Sequence, residues 1–454
     1  MKFNLTFLEF LVFLLFYILL FLWFQFGRRL RRWWHDYFRQ RHKPRSLKPK
    51  APDDCPACNQ LLSLLPSRPK PEVVPWSERK SPRGRRKTID SNGFACLNPV
   101  CAYFAIADAQ IHALVSNGRR GNQKIRYWKC QACGGCRTSR YGTPLYYLKT
   151  PLAHVTMVMT ALSEGVDISA CVRIFENHHP TISRWLMRCG QHSQRLHQQL
   201  FHQAVQVGHL QLDELVTKVK LEAERIWLWT AVAAKSKLFL AFHLGRRSTA
   251  DAQHLLHQVW QRLIPDCLPI FTSDGLNQYF YAITAHFGTW HKPLRARKYH
   301  WLPDVRLLYA QLRKRRQGRQ VSFLYSIIRL GSRYLIRTGL QALAFTGKVQ
   351  TAFVERANLT LRELIAPLSR RTWSMAYDKY HLTLHIHWGL AYYHFCRPHQ
   401  SLTIPIRGPS KRRYRTPAMA ANLVNRRWSV RDLLQLPVPE GVWLDPFPAM
   451  KGCR

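Results

Sequence analysis

The chain has 454 residues, enough for two or three domains with separate cores, and an apolar fraction of 46% excludes general disorder. Its 69 lysines and arginines outnumber 25 aspartates and glutamates for a net charge of +44, spread along the whole length. That balance points to a polyanion partner, nucleic acid being the commonest, with a basic membrane-surface or ribosome-associated protein as the bland alternative.

The N-terminus reads as a membrane segment. Phe10 to Phe24 is uninterrupted apolar sequence (FLVFLLFYILLFLWF), and residues 3–26 are long enough to span a hydrocarbon core of about 30 Å as a helix. Arg28, Arg29, Arg31 and Arg32 follow at once, with Trp23, Trp33 and Trp34 as interface anchors. The positive-inside rule then puts the rest of a single-pass chain in the cytoplasm. Glu9 and Asn4 count against a clean span, and an interfacial helix or a translated upstream segment competes with it. Residues 1–34 are therefore assigned to this helix and its basic flank. Residues 35–90, rich in Pro, Lys, Arg and Ser, form a basic linker.

Seven of the twelve cysteines fall between residues 55 and 136. Cys96 and Cys101, then Cys130 and Cys133, form two knuckles whose thiolates suit a tetrahedral structural Zn²⁺. The run KIRYWKC before the second knuckle is strand-like, which predicts a zinc ribbon over 91–150. Cys136 could replace Cys133 as the fourth ligand. Cys55 and Cys58 form a third knuckle without an evident partner.

Residues 151–200 carry three short helical patterns. HVTMVMTALSEG ends on Gly165, DISACVRIFEN follows, and HHPTISRWLMRCG starts at Pro180 and ends on Gly190. Such a trio suggests a helix-turn-helix, with Thr181, Ser183, Arg184 and Arg188 turned to DNA while Ile182, Trp185 and Leu186 pack inward. An ordinary helical bundle would show the same pattern.

From His209 the period changes. HLQLDEL alternates, IWLWTAVAA and KLFLAFHLG are β-rich, 249–263 is helical, and PIFTSDGL is again strand-like. Three strands, a helix and a strand are the opening order of an RNase H-like domain, assigned to 205–403. In that order Asp213 lies on the first strand and Asp274 just past the fourth. In FVERANLTLRELIAPLSRR, Val354, Ala357, Leu361, Leu364, Ile365 and Leu368 make one apolar helix face, bordered by Glu355, Asn358 and Arg362. A carboxylate on such a border is poorly solvated and needs an arginine or a metal beside it. Three convergent carboxylates could hold two Mg²⁺ or Mn²⁺ ions about 3.5–4 Å apart for phosphoryl transfer. For each one alone, an ordinary salt bridge is the competing reading. The basic stretch RARKYHWLPDVRLLYAQLRKRRQGRQ exceeds a minimal fold of this kind, and either grips phosphates or is a solvated helix.

The stretches QLDEL, TSDGL and VERANLTLRELIAPLSRRTWS resemble the DDE transposases of bacterial insertion sequences, most closely the IS-one type, over about residues 95 to 403. The resemblance implies an α/β chain in which a zinc ribbon and helix-turn-helix precede an RNase H-like catalytic domain. It implies Asp213, Asp274 and Glu355 as the metal-binding triad, and Arg362 with Asn358 as DNA contacts near it. YYHFCRPHQSL resembles the tail of related DDE enzymes, which implies DNA or fold contacts for Arg397 and His399. The partners so implied are double-stranded DNA, both element ends and target, bound by a homo-oligomer; a membrane partner through residues 3–26 rests on the apolar segment alone, which is not part of the family pattern. A rival reading is a membrane-tethered DNA-binding regulator with a non-catalytic RNase H-like scaffold. Residues 404–454 are expected to form a basic C-terminal tail.

Overall fold

The computed structural model describes residues 74–76 and 94–438, apart from 97, 99, 105, 107–110, 122–124, 293–297, 318–319 and 408–410. The expected membrane segment and the Cys55–Cys58 knuckle lie outside the described residues, as does the expected linker save for 74–76. Among the described residues no helix is long and apolar enough to cross a membrane.

Three short antiparallel strands, β1 (Leu114–Arg120), β2 (Ile125–Cys130) and β3 (Cys136–Thr138), pair in the order 1-2-3. The strand expected from KIRYWKC is β2. Tyr103, Ala113, Leu114 and Trp128 form a small core with three cysteines. Trp76, expected in the linker, packs edge-on to Tyr103.

Helices α1 (Leu152–Ser163), α2 (Ile168–Phe175) and α3 (His179–Phe201) follow. Gly165 ends the first as expected. Its φ is +85°, and an added Cβ would lie 2.1 Å from the Glu363 carbonyl oxygen. Asp167 caps α2 by accepting from the Ala170 N–H at 2.8 Å. The third helix is not short: it runs through Gly190 for 23 residues. Glycine stands there because α3 crosses a later helix closely, and a Cβ would lie 2.4 Å from the Leu384 carbonyl oxygen. Close packing, and not helix termination, explains that glycine.

The larger part is mixed α/β. Strands β4 (His209–Thr217), β5 (Ile226–Ala233) and β6 (Phe239–Gly245) lead to α4 (Thr249–Arg262), β7 (Ile270–Ser273) and α5 (Gln278–His286). A small hairpin of β8 (Gly288–His291) and β9 (His300–Pro303) precedes the long strands β10 (Tyr309–Gln317) and β11 (Gln320–Leu330). The basic stretch expected to be an insertion or a solvated helix is therefore extended, contributing β9 and β10. The six-stranded sheet has the order β11-β10-β7-β4-β5-β6. Strands β4, β5 and β6 are antiparallel, β7 runs parallel to β4, β10 parallel to β7, and β11 antiparallel to β10. Parallel neighbours need crossovers, which α4 and the α5 segment supply.

Both faces of the central strands are covered, so the alternation of HLQLDEL does not leave one face to water: His209 to Leu212 are all buried. Gln211 is useful inside. Its Nε2 donates to the Gln350 carbonyl at 2.7 Å, and its Oε1 accepts from the Val354 N–H at 2.9 Å. This pins the start of a helix to β4 two residues before Asp213.

After α6 (Arg333–Ala342), that helix is α7 (Ala352–Leu364), and α8 (Lys379–Ala391) lies against α3. The expected apolar face of α7 is buried as drawn, including Ile365 and Leu368 just beyond its end. The polar border differs: Asn358 is buried, Arg362 half-buried and Glu355 exposed.

Strands β12 (Ile404–Arg407) and β13 (Lys411–Arg413) and helices α9 (Pro417–Ala420) and α10 (Val430–Gln435) complete the described chain. The expected basic tail is thus, up to residue 438, a packed segment. Met419, Trp428, Val430, Leu433 and Leu434 join the main core, and Trp428 stacks on Phe395 at 4.5 Å. Apolar residues at helical spacing outweigh the basic ones between them.

Candidate functional site

Neighbours on a strand point to opposite faces, so Asp213 and Glu214 would ordinarily part. Here β7 accompanies β4 only as far as the Leu212–Ser273 pair. Beyond it the edge of β4 is open, and Asp274, the first residue past β7, stands at the opening. Carboxylate oxygens of Asp213, Glu214 and Asp274 all lie within 4.8 Å of one another.

Each of the three is held in place. Asn358 on α7 donates from Nδ2 to Asp213 Oδ2 at 2.9 Å, and its own Oδ1 accepts from the Thr230 hydroxyl at 3.1 Å. On the opposite face, Glu214 Oε1 accepts from Arg247 at 2.6 and 3.1 Å, and its Oε2 accepts from the Tyr279 hydroxyl at 3.1 Å. The Glu214 side chain is only 3% exposed. Asp274 Oδ1 accepts from the Leu276 N–H at 3.1 Å.

Crowding in poor solvent makes these groups hard to ionise together. Burial, then the charges of Glu214 and Asp274, push the Asp213 carboxyl up to about 7. Burial and Asp274 raise Glu214, opposed by Arg247. Burial raises Asp274 too, and Glu355 adds to it while Arg247 and Lys314 oppose it. Hard oxygen donors whose mutual repulsion is only partly relieved by Arg247 and Lys314 fit a divalent cation.

Glu355, expected as the third ligand, lies outside this group of three. Its Oε1 accepts from Lys314 at 2.8 Å and from the Thr351 hydroxyl at 2.9 Å. The partner that its position demands is thus a lysine of β10, and its charge still reaches Asp274 from the rim. Glu214 takes the third place. Strand alternation by itself puts Glu214 on the far face from Asp213.

The expected DNA contacts fall into two groups. Arg184 is exposed and Thr181 half-buried on the outer side of α3. Arg188, however, turns inward, and its guanidinium donates to the Tyr146 carbonyl. Asn358 is spent on Asp213 and Thr230, so it serves the site from within and does not face DNA. Arg362 is half-buried; burial and then the Arg370 charge lower its pKa, opposed by the Asp213 charge. His399 is half-buried, with Nδ1 2.9 Å from the Ser401 hydroxyl and its N–H on the Arg415 carbonyl at 3.0 Å. Arg397 beside it is half-buried, with its N–H on the Tyr392 carbonyl at 2.9 Å. These two brace the loop that follows α8.

The second cluster is the four cysteines. Ligand sulfurs of Cys96, Cys101, Cys130 and Cys133 gather within 4.8 Å, with Cys96–Cys133 at 3.6 Å and Cys101–Cys130 at 3.8 Å. Sulfurs about 2.3 Å from a tetrahedral zinc stand about 3.8 Å apart, so the donor set fits that ion. Cys136 is exposed and outside the group, where Asn117 Nδ2 approaches its sulfur at 3.3 Å. Cys133, and not Cys136, completes the group of four.

No protein-family profile matches the chain, and no curated protein matches it in sequence.

Proposed function

We propose that this protein is a metal-dependent DNA-cutting and strand-joining enzyme, a transposase of the DDE type. The observation that carries the reading is the convergence of Asp213 and Glu214, in the middle of β4, with Asp274, just past the end of the parallel strand β7, in a chain of net charge +44. Few partners other than a nucleic acid suit that charge, and few sites other than a cation site suit so many crowded acids. Three antiparallel strands followed by two parallel ones, with the acids at one end, are consistent with an RNase H-like domain.

In this reading Asp213, Glu214 and Asp274 hold Mg²⁺ or Mn²⁺, with Glu355 at the rim. The bound ions would supply an activated water or 3′-hydroxyl and stabilise the leaving oxygen at a scissile phosphate. The protein's part is preorganisation. Asn358 sets the Asp213 carboxylate, Arg247 and Tyr279 set Glu214, and the Leu276 N–H sets Asp274. Arg362, near enough for the Asp213 charge to act on it, would be a cation able to meet a phosphate. The ribbon, with a structural Zn²⁺, and the helix-turn-helix with Arg184 outermost would bind the terminal repeats of an insertion sequence. Two ends must be held together, so a homo-oligomer on DNA is expected.

The test is cleavage of duplex DNA carrying the repeats that flank the gene, with Mg²⁺ and without it. Binding of those repeats with no cleavage under any divalent ion would favour the regulator reading instead.

A further inference from the structure

Strand β10 pairs with β7 only through Tyr309, Ala310 and Gln311. From Leu312 outward, β10 and β11 form a two-stranded ribbon that leaves the sheet at the end where Asp274 lies. Six residues of extended chain carry it on by about 20 Å. The ribbon begins at the site itself. Tyr309 bonds Ser273 at 2.7 Å, Gln311 Nε2 donates to the Leu276 carbonyl at 2.9 Å, and Arg313 packs over Gly275.

The register decides what its outer part presents. Arg313 stands opposite Tyr325 and Arg315 opposite Phe323, so these four share one face, while Lys314 on the other face reaches Glu355. Phe323 is 61% exposed and Tyr325 39% exposed, with ring centroids 6.1 Å apart and planes 18° from parallel. Exposed rings on a protruding ribbon are a liability unless something covers them. The Nε of Arg313 is buried with no hydrogen-bond partner among the described residues. Two aromatic rings side by side on one strand, each opposite an arginine on the other, match a single strand of nucleic acid, whose bases stack on rings while its phosphates meet arginines.

We infer that this face, Phe323 and Tyr325 with Arg313 and Arg315, binds unpaired nucleotides of the DNA strand that enters the carboxylate site. The inference rests on the proposed function for its partner, and adds that the partner is locally unpaired. A paired duplex would bury its bases away from the rings.

The experiment measures binding of the full chain, without divalent ions, to a duplex with a three-nucleotide 3′ overhang and to the same duplex fully paired, with 2-aminopurine in the overhang. Wild-type protein should prefer the overhang and quench the probe. Phe323→Ala with Tyr325→Ala should lose that preference by about tenfold while paired-duplex affinity holds. Phe323→Trp with Tyr325→Trp should restore it. Unchanged overhang binding in the alanine variant overturns the inference. So does a change of mass in light scattering with overhang binding intact, which would make the face a contact between protein copies. If the wild type shows this preference but, in a separate assay with Mg²⁺, does not cut the flanking-repeat duplex, that counts against the transposase reading alone.

Discussion

The cysteine cluster and the carboxylate cluster differ in what holds them together before any ion arrives. The four sulfurs stand in pairs at 3.6 and 3.8 Å beside a core of a few residues, each sulfur with another as its partner. The carboxylates are already met by Asn358, Arg247, Tyr279 and the Leu276 N–H, on a sheet with an extensive core of its own. A metal in the first case would be part of the fold; in the second it would be a guest in a finished site. Small cores need such help, and large ones do not.

The largest effect that could break this contrast is zinc removal. Structural zinc contributes on the order of 10 kcal/mol or more to a small module, so chelation or Cys130→Ser should unfold the ribbon and leave the sheet intact. Proteolysis should then cut within residues 94–140 and spare β4 to β7. A ribbon that stays protected after zinc loss would put both clusters in the same class.

Acid should act on the other half. His192, His209, His385, His387 and His394 are held down at about 3 to 4, and His197 well below its usual value, first of all by burial. The unfolded chain binds protons near pH 6.5 that the folded one refuses. Stability is therefore complete above 6.5 and falls with pH towards the folded values. Each such histidine gives up about 2 kcal/mol between pH 6.5 and 5. The melting temperature of the sheet part should drop steeply over that range, and a flat profile would contradict the buried cluster.

Arg247→Ala should cost about 1–2 kcal/mol, since it leaves Glu214 charged in a dry place with Tyr279 alone, though Arg247 itself is partly exposed. Millimolar Mn²⁺ should narrow the gap in melting temperature, because a cation replaces a cation. A gap indifferent to Mn²⁺ would remove Glu214 from the metal group. The smallest effect is Glu355→Gln. Its ion pair with Lys314 is 37% and 45% exposed, so stability should shift by less than about 1 kcal/mol. Calorimetry should show Mn²⁺ affinity falling less than for Asp274→Asn; an equal fall would restore Glu355 as a full ligand.

What could be read from the sequence follows the same contrast. The cysteine knuckles were legible because both pairs are local spacings, and the strand KIRYWKC sits between them. Asp213 and Asp274 were legible from strand order. Glu214 was not, because its nearness to Asp274 depends on where β7 stops beside β4, a matter of pairing that no periodicity records. Gly190 misled for a related reason: a glycine demanded by the approach of Leu384 looks the same as a helix end. Arg188 and Asn358 sit at positions that helical spacing calls outward or bordering, and only tertiary partners, Tyr146 and Asp213, turn them in.

The central claim is that the carboxylates form a divalent-cation site that cuts DNA. It is tested most directly by cleavage of the flanking-repeat duplex with wild-type, Asp213→Asn and Asp274→Asn proteins, each checked for an unchanged melting profile. The account predicts Mg²⁺-dependent cutting by the wild type and none by either variant, with the double variant no worse than the singles because the groups act as a unit. Cutting at the wild-type rate by a folded Asp213→Asn or Asp274→Asn protein would contradict it.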